Sequence, residues 1–203
     1  MLVLLVGLLG LAAGWLLAPL AGRYIGTLGS RRRVVIAVTV ALVSGALAWR
    51  FGQNAALAAY LYFGVVCTLL TFIDLAVQRL PDPYTLPSYV VGPALLAAVA
   101  PFTTDGFAKL IFGLIGMALL WLVYGAQHFF LPDAIGRGDV KLAGVLGLYL
   151  GWLGSDAWVL GVLAGCLFGG VVSVALLLRG RRGTHIPYGP FMISGALAAV
   201  LAS

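Results

Sequence analysis

Eight apolar runs, separated by short connections, are the feature of this sequence that most restricts its fold. They cover approximately residues 2–20, 34–51, 55–73, 84–100, 107–130, 140–154, 157–178 and 186–202. About 20 apolar residues suffice for a helix to cross a bilayer, and inside lipid only helices and closed barrels satisfy every backbone hydrogen bond. We therefore predict an all-α polytopic membrane protein, with about eight transmembrane helices in one bundle that forms a single domain over residues 1–203.

The composition excludes an ordinary soluble domain. Of the 203 residues, 63% are hydrophobic and only 9% are charged, which leaves too little polar surface for a water-soluble fold. The formal net charge of +6 does not indicate a nucleic-acid partner, because the basic residues lie in short connections and not along one exposed face. Membrane lipid is the expected surrounding of this chain.

The lysines and arginines are distributed unevenly among the connections. Ten of them fall around the first, third, fifth and seventh connections: Arg23, Arg31, Arg32, Arg33, Arg79, Arg137, Lys141, Arg179, Arg181 and Arg182. Only Arg50 and Lys109 fall in the others. The positive-inside rule therefore places the odd-numbered connections in the cytoplasm and both termini outside, in a plasma or inner membrane.

Glycines recur at helical spacing inside several runs. The sets are Gly7, Gly10 and Gly14; Gly147 and Gly151; and Gly161, Gly165 and Gly169. Small residues allow helix backbones to approach each other closely in lipid, where no hydrophobic force drives helices together. These spacings predict tightly packed helix pairs.

All six acidic residues are aspartates, so each carboxylate can be judged by its position. Four of them fall in connections: Asp82, Asp105, Asp133 and Asp156. Asp74 closes the third run and Asp139 opens the sixth, both at the predicted cytoplasmic edge. Two carboxylates that share a site hold one proton near neutral pH, as in aspartic proteases. Asp74 and Asp139 are therefore candidates for a catalytic pair; alternatively, they are interfacial acids paired with Arg79 and Lys141.

Three local sequences add to this pattern. Asp74 is followed by the turn Leu80-Pro81-Asp82, the segment Gly136-Arg137-Gly138-Asp139 leads through Lys141 into a glycine-rich run, and Ile186-Pro187-Tyr188-Gly189-Pro190 precedes the last run. Together they resemble the motifs of the prepilin peptidases, the type IV leader peptidases, which are membrane aspartic proteases of the GxGD type. The resemblance extends from about residue 60 to residue 203, with the three motifs in the family's order.

This resemblance implies an aspartic endopeptidase with Asp74 and Asp139 as its catalytic carboxylates. Its substrates would be type IV prepilin- or pseudopilin-like precursors, whose short basic leader is removed at the cytoplasmic face of the membrane. No cofactor is implied.

Other motif residues are expected to support the two acids. Gly136 and Gly138 would relax the backbone before the sixth run, because glycine adopts torsions closed to other residues. Prolines after the third run, Pro81 among them, would stop its helix from continuing, with Asp82 as a loop or cap residue. Lys141 either biases the charge of Asp139, contacts the precursor, or is an interfacial lysine. Pro187, Gly189 and Pro190 form the motif before the last run.

The sequence departs from the family in its first cytoplasmic connection. Many members carry an insertion there with paired cysteines, which is linked to zinc binding and to N-methylation of the new amino terminus. Here that connection is short, and the two cysteines, Cys67 and Cys166, lie inside apolar runs without a CxxC pair. His128 and His185 lack a partner at ligand spacing, so no metal site is expected. We therefore predict peptidase without N-methyltransferase activity, and two buried cysteines.

Three other functions compete with this interpretation. A presenilin-like protease shares GxGD, but Asp74 follows Ile73 where that class has Tyr, and no Pro-Ala-Leu run follows the GxGD segment. A proton-coupled transporter would use membrane aspartates as a relay, but such proteins show repeated halves and sites near the midplane, and neither is evident. A non-catalytic pilus or secretion assembly factor of the same fold is the third alternative.

Overall fold

The computed structural model describes residues 1–26, 29–132, 135–179 and 187–203, and in these ranges all regular structure is helical. The helices are α1 (Leu2–Ile25), α2 (Ser30–Phe51), α3 (Leu57–Val77), α4 (Asp82–Thr85), α5 (Ser88–Val99), α6 (Gly106–Phe130), α7 (Arg137–Leu153), α8 (Ser155–Leu178) and α9 (Gly189–Ala202). Among the described residues, six segments are long and apolar enough to cross a membrane, including 82–102, which combines α4, α5 and a 3-10 turn. The predicted all-α polytopic membrane fold is confirmed.

Each of the eight predicted runs corresponds to helix in the structure. The fourth run differs most, because Leu86 and Pro87 separate α4 from α5. Pro87 lacks the backbone N–H that a continuous helix would need, so the helical hydrogen bonds are interrupted there, although Leu86 and Pro87 both keep helical torsions. The seventh run, by contrast, is one unbroken helix of 24 residues.

The chain divides into two compact units, residues 1–107 and 108–203. We call them the N-terminal and the C-terminal unit and describe each by itself. The N-terminal unit contains α1 to α5, and the C-terminal unit contains most of α6 and all of α7 to α9.

Close backbone contact between α1 and α2 organises the N-terminal unit. A Cβ added at Gly14 would lie 2.7 Å from Cα of Ala37, and one added at Gly10 would lie 2.7 Å from Oγ of Ser44. Any larger residue at these positions would push the helices apart. The tight packing that the glycine spacing predicts is confirmed for this pair.

A proline inside α1 leaves one backbone group for α2 to satisfy. Pro19 has no N–H, so the carbonyl oxygen of Trp15, four residues earlier, lacks its helical donor. Nε of Arg33, in the first turn of α2, donates to that oxygen at 3.0 Å. The same guanidinium lies over the Trp15 ring, with Cζ 4.2 Å from the ring centroid. Arg33 thus joins α2 to α1 at the proline.

Helix α7 is the enclosed element of the C-terminal unit, since every residue from 142 to 152 is buried. Its glycines lie directly against the backbone of α6: a Cβ at Gly147 would collide with the carbonyl oxygen of Gly116, and one at Gly151 would lie 2.5 Å from the carbonyl oxygen of Phe112. Helices α8 and α9 meet in the same way at Gly165 and Gly195. The predicted glycine contacts are confirmed here as well.

Candidate functional site

Asp74 lies in the last turn of α3 and is only 4% exposed. The helix ends three residues later, where Gln78 adopts a left-handed conformation (φ 51°) and its N–H donates to the Asp74 carbonyl oxygen at 2.9 Å. Burial of a carboxylate is costly, so its retention here indicates a function or a strong partner. The acid thus lies at the end of a membrane-spanning helix, as the sequence predicts.

The chain turns immediately after this helix. Pro81 precedes α4, and its carbonyl oxygen accepts the N–H of Tyr84 at 3.1 Å and Oγ1 of Thr85 at 2.9 Å. Pro81 is buried, whereas Asp82 is exposed in the first turn of α4. The expectation that the prolines stop the helix of the third run is confirmed, because α3 does not extend past Val77.

Two tyrosine hydroxyls, whose hydrogen bonds were not predicted from the sequence, hold this segment in place. The Tyr84 hydroxyl donates to the Leu20 carbonyl oxygen of α1 at 3.0 Å, and its ring meets Tyr24 edge to face. The Tyr62 hydroxyl lies 3.0 Å from Oγ of Ser88, which joins α3 to α5. Buried hydroxyls need hydrogen-bond partners. The polar side chains inside the apolar runs were therefore a sequence signal for such contacts.

Asp139 is the third residue of α7. One of its carboxylate oxygens, Oδ2, accepts the N–H of Gly136 at 3.3 Å, while its own N–H donates to the Gly136 carbonyl oxygen at 3.0 Å. This is the acidic half of a capping box, and the helix dipole favours a carboxylate at this end. The GxGD segment is therefore a helix start that holds its acid against the backbone.

The environment of Asp139 alters its proton affinity. The residue precedes the apolar stretch that begins at Val140, and it is half-buried. Burial raises the pKa of Asp139 above the ordinary carboxyl value, and the hydrogen bond from Gly136 offsets part of that effect. The carboxyl group therefore keeps its proton to a higher pH than an exposed aspartate does.

The expectation that Gly136 provides backbone freedom before α7 is wrong. Its torsions (φ −72°, ψ 150°) are open to any residue, so no special backbone freedom is used there. Space explains the residue better, because a Cβ would lie 3.3 Å from Oδ2 of Asp139, which is a crowded contact. Gly138 lies in the first turn of α7 with helical backbone, so the expectation fails for it too.

An apolar groove runs beside the start of α7. It has a volume of about 770 Å³ and is lined mostly by apolar residues at the end of α6, with Arg137, Lys141 and His128 at its polar margin. Nδ1 of His128 lies 2.7 Å from the carbonyl oxygen of Ile135. Lys141 is half-buried, and its effect on Asp139 stays a prediction.

The motif before the last run forms the start of α9. Gly189 and Pro190 are buried in its first turn, where a proline needs no N–H partner, and Pro187 is half-buried. The Tyr188 hydroxyl lies 3.5 Å from Sγ of Cys166 on α8. Cys166 is exposed, so the prediction that it is buried is wrong: it faces outward from a helix with few buried residues.

The remaining expectations concern the other cysteine, a metal site, and residues that the structure does not describe. Cys67 is buried, as predicted. No group of three or more His, Cys, Asp or Glu that could hold a metal ion occurs among the described residues. Asp133, His185 and Ile186 lie outside the described residues.

The predicted site residues thus form two groups. Asp74 lies with Pro81 and Asp82 in the N-terminal unit, around the end of α3. The C-terminal unit holds the rest, at the starts of two helices: Gly136, Gly138, Asp139 and Lys141 at α7, and Pro187, Gly189 and Pro190 at α9. Each group contributes one carboxylate at the end of a helix.

Comparison with known proteins relates this chain to leader peptidases. The sequence model of the type IV leader peptidase family matches residues 61–174, a region that includes both Asp74 and Asp139. The prepilin leader peptidase/N-methyltransferase of Aeromonas hydrophila is 30% identical over 187 residues, covering 91% of this chain and 60% of that protein. The protein of the same name from Burkholderia pseudomallei is 32% identical over 185 residues, covering 85% and 55%.

The chain spans somewhat more than half the length of the curated relatives it matches. The relative from Pseudomonas aeruginosa, which is 30% identical over 177 residues, follows the same pattern with coverage of 84% and 58%. No solved structure matches this chain.

Proposed function

This chain belongs to the type IV leader peptidase family, and on that premise we propose that it is an aspartic endopeptidase of type IV prepilin- or pseudopilin-like precursors. The reaction is hydrolysis of the peptide bond that joins a short basic leader to the rest of the precursor. The active site lies near the cytoplasmic face of the plasma membrane, where the positive-inside rule puts the ends of both acid-bearing helices, with both termini outside.

The environment of Asp139 is the observation that carries this proposal. Its carboxyl group is half-buried at the start of α7, held by the Gly136 N–H, and its pKa is raised by burial. A carboxyl group whose pKa is raised holds its proton more tightly than an ordinary aspartate, and in its protonated form it can donate that proton to a reacting carbonyl oxygen. Asp74, at the end of α3, is the candidate for its partner: in a pair that shares one proton, Asp74 is ionised while Asp139 holds that proton.

The two carboxyl groups divide the chemistry of hydrolysis between them. Asp74 accepts a proton from a water molecule, whose oxygen attacks the scissile carbonyl carbon. Asp139 donates its proton to the carbonyl oxygen, so that a neutral tetrahedral intermediate forms. When the C–N bond breaks, a proton passes to the leaving amine and the pair returns to its singly protonated state.

The test is cleavage of a candidate prepilin that is co-expressed with the wild type or with Asp74→Asn or Asp139→Asn. Each variant should lower cleavage by at least about a hundredfold, since general acid and base groups contribute 10²–10⁴ in rate. The control is Asp156→Asn, which alters an exposed acid in the first turn of α8 and should leave cleavage unchanged. Undiminished cleavage by either of the first two variants would exclude the proposed pair.

A double variant tests whether the acids act together. Residues that act as one unit are strongly non-additive, so Asp74→Asn combined with Asp139→Asn should cleave no more slowly than either single variant. Multiplied losses would indicate that the two acids work separately.

The proposal is limited to the peptidase step. The relatives are named prepilin leader peptidase/N-methyltransferase, but this sequence has no CxxC pair, and the resemblance described above links N-methylation to paired cysteines. We expect the new amino terminus of the cleaved precursor to stay unmethylated when this chain is the only prepilin-processing protein present. Mass spectrometry of the mature product decides the question, and a methylated terminus would contradict the expectation.

A further inference from the structure

A second groove lies at the predicted cytoplasmic end of the N-terminal unit, where α1, α2 and α3 meet. Its volume is about 460 Å³. Six apolar residues line it: Ile25, Val35, Ile36, Phe72, Leu75 and Ala76. Arg31 and Arg32 are the other described residues that line it. We call it the α1–α3 groove; it combines an apolar wall with two guanidinium groups.

The three consecutive arginines of α2 have different surroundings. Arg33 is held by the Trp15 carbonyl oxygen and ring. Arg31 and Arg32 are exposed, and within the described part of the chain neither side chain has a hydrogen-bond or ion-pair partner. Nor does the first turn of α2 contain an acidic residue, although the helix dipole disfavours cations at that end. The two charges at the groove therefore lack a counter-anion from the described chain.

The apolar wall indicates what kind of molecule would supply that anion. Val35 and Leu75 are exposed, and Phe72 is half-buried against the core of this unit. At the edge of a membrane, such a wall is covered by lipid acyl chains. Guanidinium groups bind phosphate by paired, charge-assisted hydrogen bonds, and basic pockets between transmembrane helices on the cytoplasmic side bind anionic headgroups.

We propose that the α1–α3 groove binds one anionic phospholipid of the inner leaflet. Its phosphate lies between Arg31 and Arg32, and one acyl chain runs along Phe72 and Leu75 of α3. A basic precursor leader is not the occupant, because the two arginines would repel it. Since α3 carries Asp74, the lipid would tie the start of α2 to the helix end on which this acid sits.

The first experiment measures lipid retained by the purified full chain. Native mass spectrometry compares added phosphatidylglycerol with phosphatidylcholine of the same chain length. The wild type should retain phosphatidylglycerol preferentially, and Arg31→Gln with Arg32→Gln should bind it about thirtyfold more weakly, because each basic residue contributes about fivefold. Equal retention of the two lipids by the wild type would overturn the proposal.

A matched double variant separates a lipid site from a general effect of charge. Arg79→Gln with Arg179→Gln removes two other arginines of predicted cytoplasmic connections, neither of which lines the groove. It should retain phosphatidylglycerol as the wild type does. If both double variants lose the lipid equally, the arginines act only through net charge and the proposal is wrong.

Photo-labelling of the wild type needs no variant and no peptidase activity, so its outcome is independent of the proposed function. The chain is reconstituted with a phosphatidylglycerol analogue that carries a diazirine in its acyl chain, and the labelled peptides are mapped. Labels should concentrate on residues 72–76 and on the start of α2, and excess unlabelled phosphatidylglycerol should displace them. Undisplaced labelling spread over all helices would show only general contact with lipid.

Discussion

At the scale of single residues, the N–H that Pro19 lacks explains why Arg33 of α2 contacts the Trp15 carbonyl oxygen of α1. We expect Arg33→Gln to lower the free energy of unfolding by about 1 kcal/mol, because a charge-assisted hydrogen bond and a cation–π contact are lost. In a Pro19→Ala background the penalty should shrink, since the introduced alanine supplies the helical donor that Trp15 lacks. Unfolding in mixed detergent measures both values. An equal penalty in the two backgrounds would contradict this account.

The proton affinity of Asp139 has a consequence for stability. Because its folded-state pKa is raised, folding favours the protonated form. The associated stability is complete below the ordinary carboxyl pKa and is lost as the pH rises through the raised value. Asp139→Asn cannot ionise, so its stability relative to the wild type should increase with pH. Thermal unfolding across this range measures the difference, and Asp156→Asn is the control; an equal pH trend for both variants would refute the prediction.

Individual residues were predictable where the chemistry is local. An acid three residues after Gly136 fits a capping box, and the structure has that hydrogen bond, although the expectation for Gly136 was backbone freedom and the bond itself was not predicted. The partner of the Trp15 carbonyl was not predictable, although Pro19 indicates the missing donor four residues later. Which cation fills the position depends on how α2 lies against α1, and no local pattern encodes that.

At the scale of helices, contact between backbones makes some glycines irreplaceable. Gly147→Ala should lower the free energy of unfolding by about 1–3 kcal/mol, because its Cβ would collide with the backbone of Gly116. Gly170→Ala on α8 is the matched control, since no atom lies within 4 Å of its added Cβ. That variant should be neutral or slightly stabilised, as alanine favours helix. Equal losses in detergent unfolding would point to a cause other than packing.

The helices could be predicted from the length and hydropathy of the apolar runs, because each run is long and bounded by polar or proline-rich residues. The break between α4 and α5 at Pro87 is the main difference. Proline marked that position in the sequence, but a proline in a membrane run can kink a helix as well as end it. Indeed Pro19 and Pro93 both lie inside continuous helices.

At the scale of the whole molecule, the orientation in the membrane is a prediction from charge alone. In a chain with Cys67→Ala and Cys166→Ser, a cysteine at Arg32→Cys should resist a membrane-impermeant thiol reagent added to intact cells. A cysteine at Thr104→Cys, an exposed position in the connection before α6, should react. A mass shift of the labelled chain on a gel shows which of the two cysteine variants has reacted. The reverse pattern would invert the orientation and remove the argument for a cytoplasmic active site.

The family could be recognised from the sequence because its three motifs occur in order, and the family match confirms it. The pairing of Asp74 with Asp139 stays a prediction, since it depends on two helix ends that are 65 residues apart in the sequence. The α1–α3 groove had no sequence signal at all. It arises where three helix ends converge, and its arginines looked like ordinary topological charges.

The enclosure of α7 also bears on how the protein is made. A helix buried from residue 142 to residue 152 contacts protein on all sides in the finished fold, so it need not be apolar enough to enter lipid alone. With 17 residues it is also shorter than the roughly 20 residues that a helix needs to cross a bilayer by itself. The short connection to α6 and the glycine contacts between the two helices would let the pair leave the translocon together as a hairpin. On this view, Asp139 reaches its position at the membrane edge only together with the neighbouring helix.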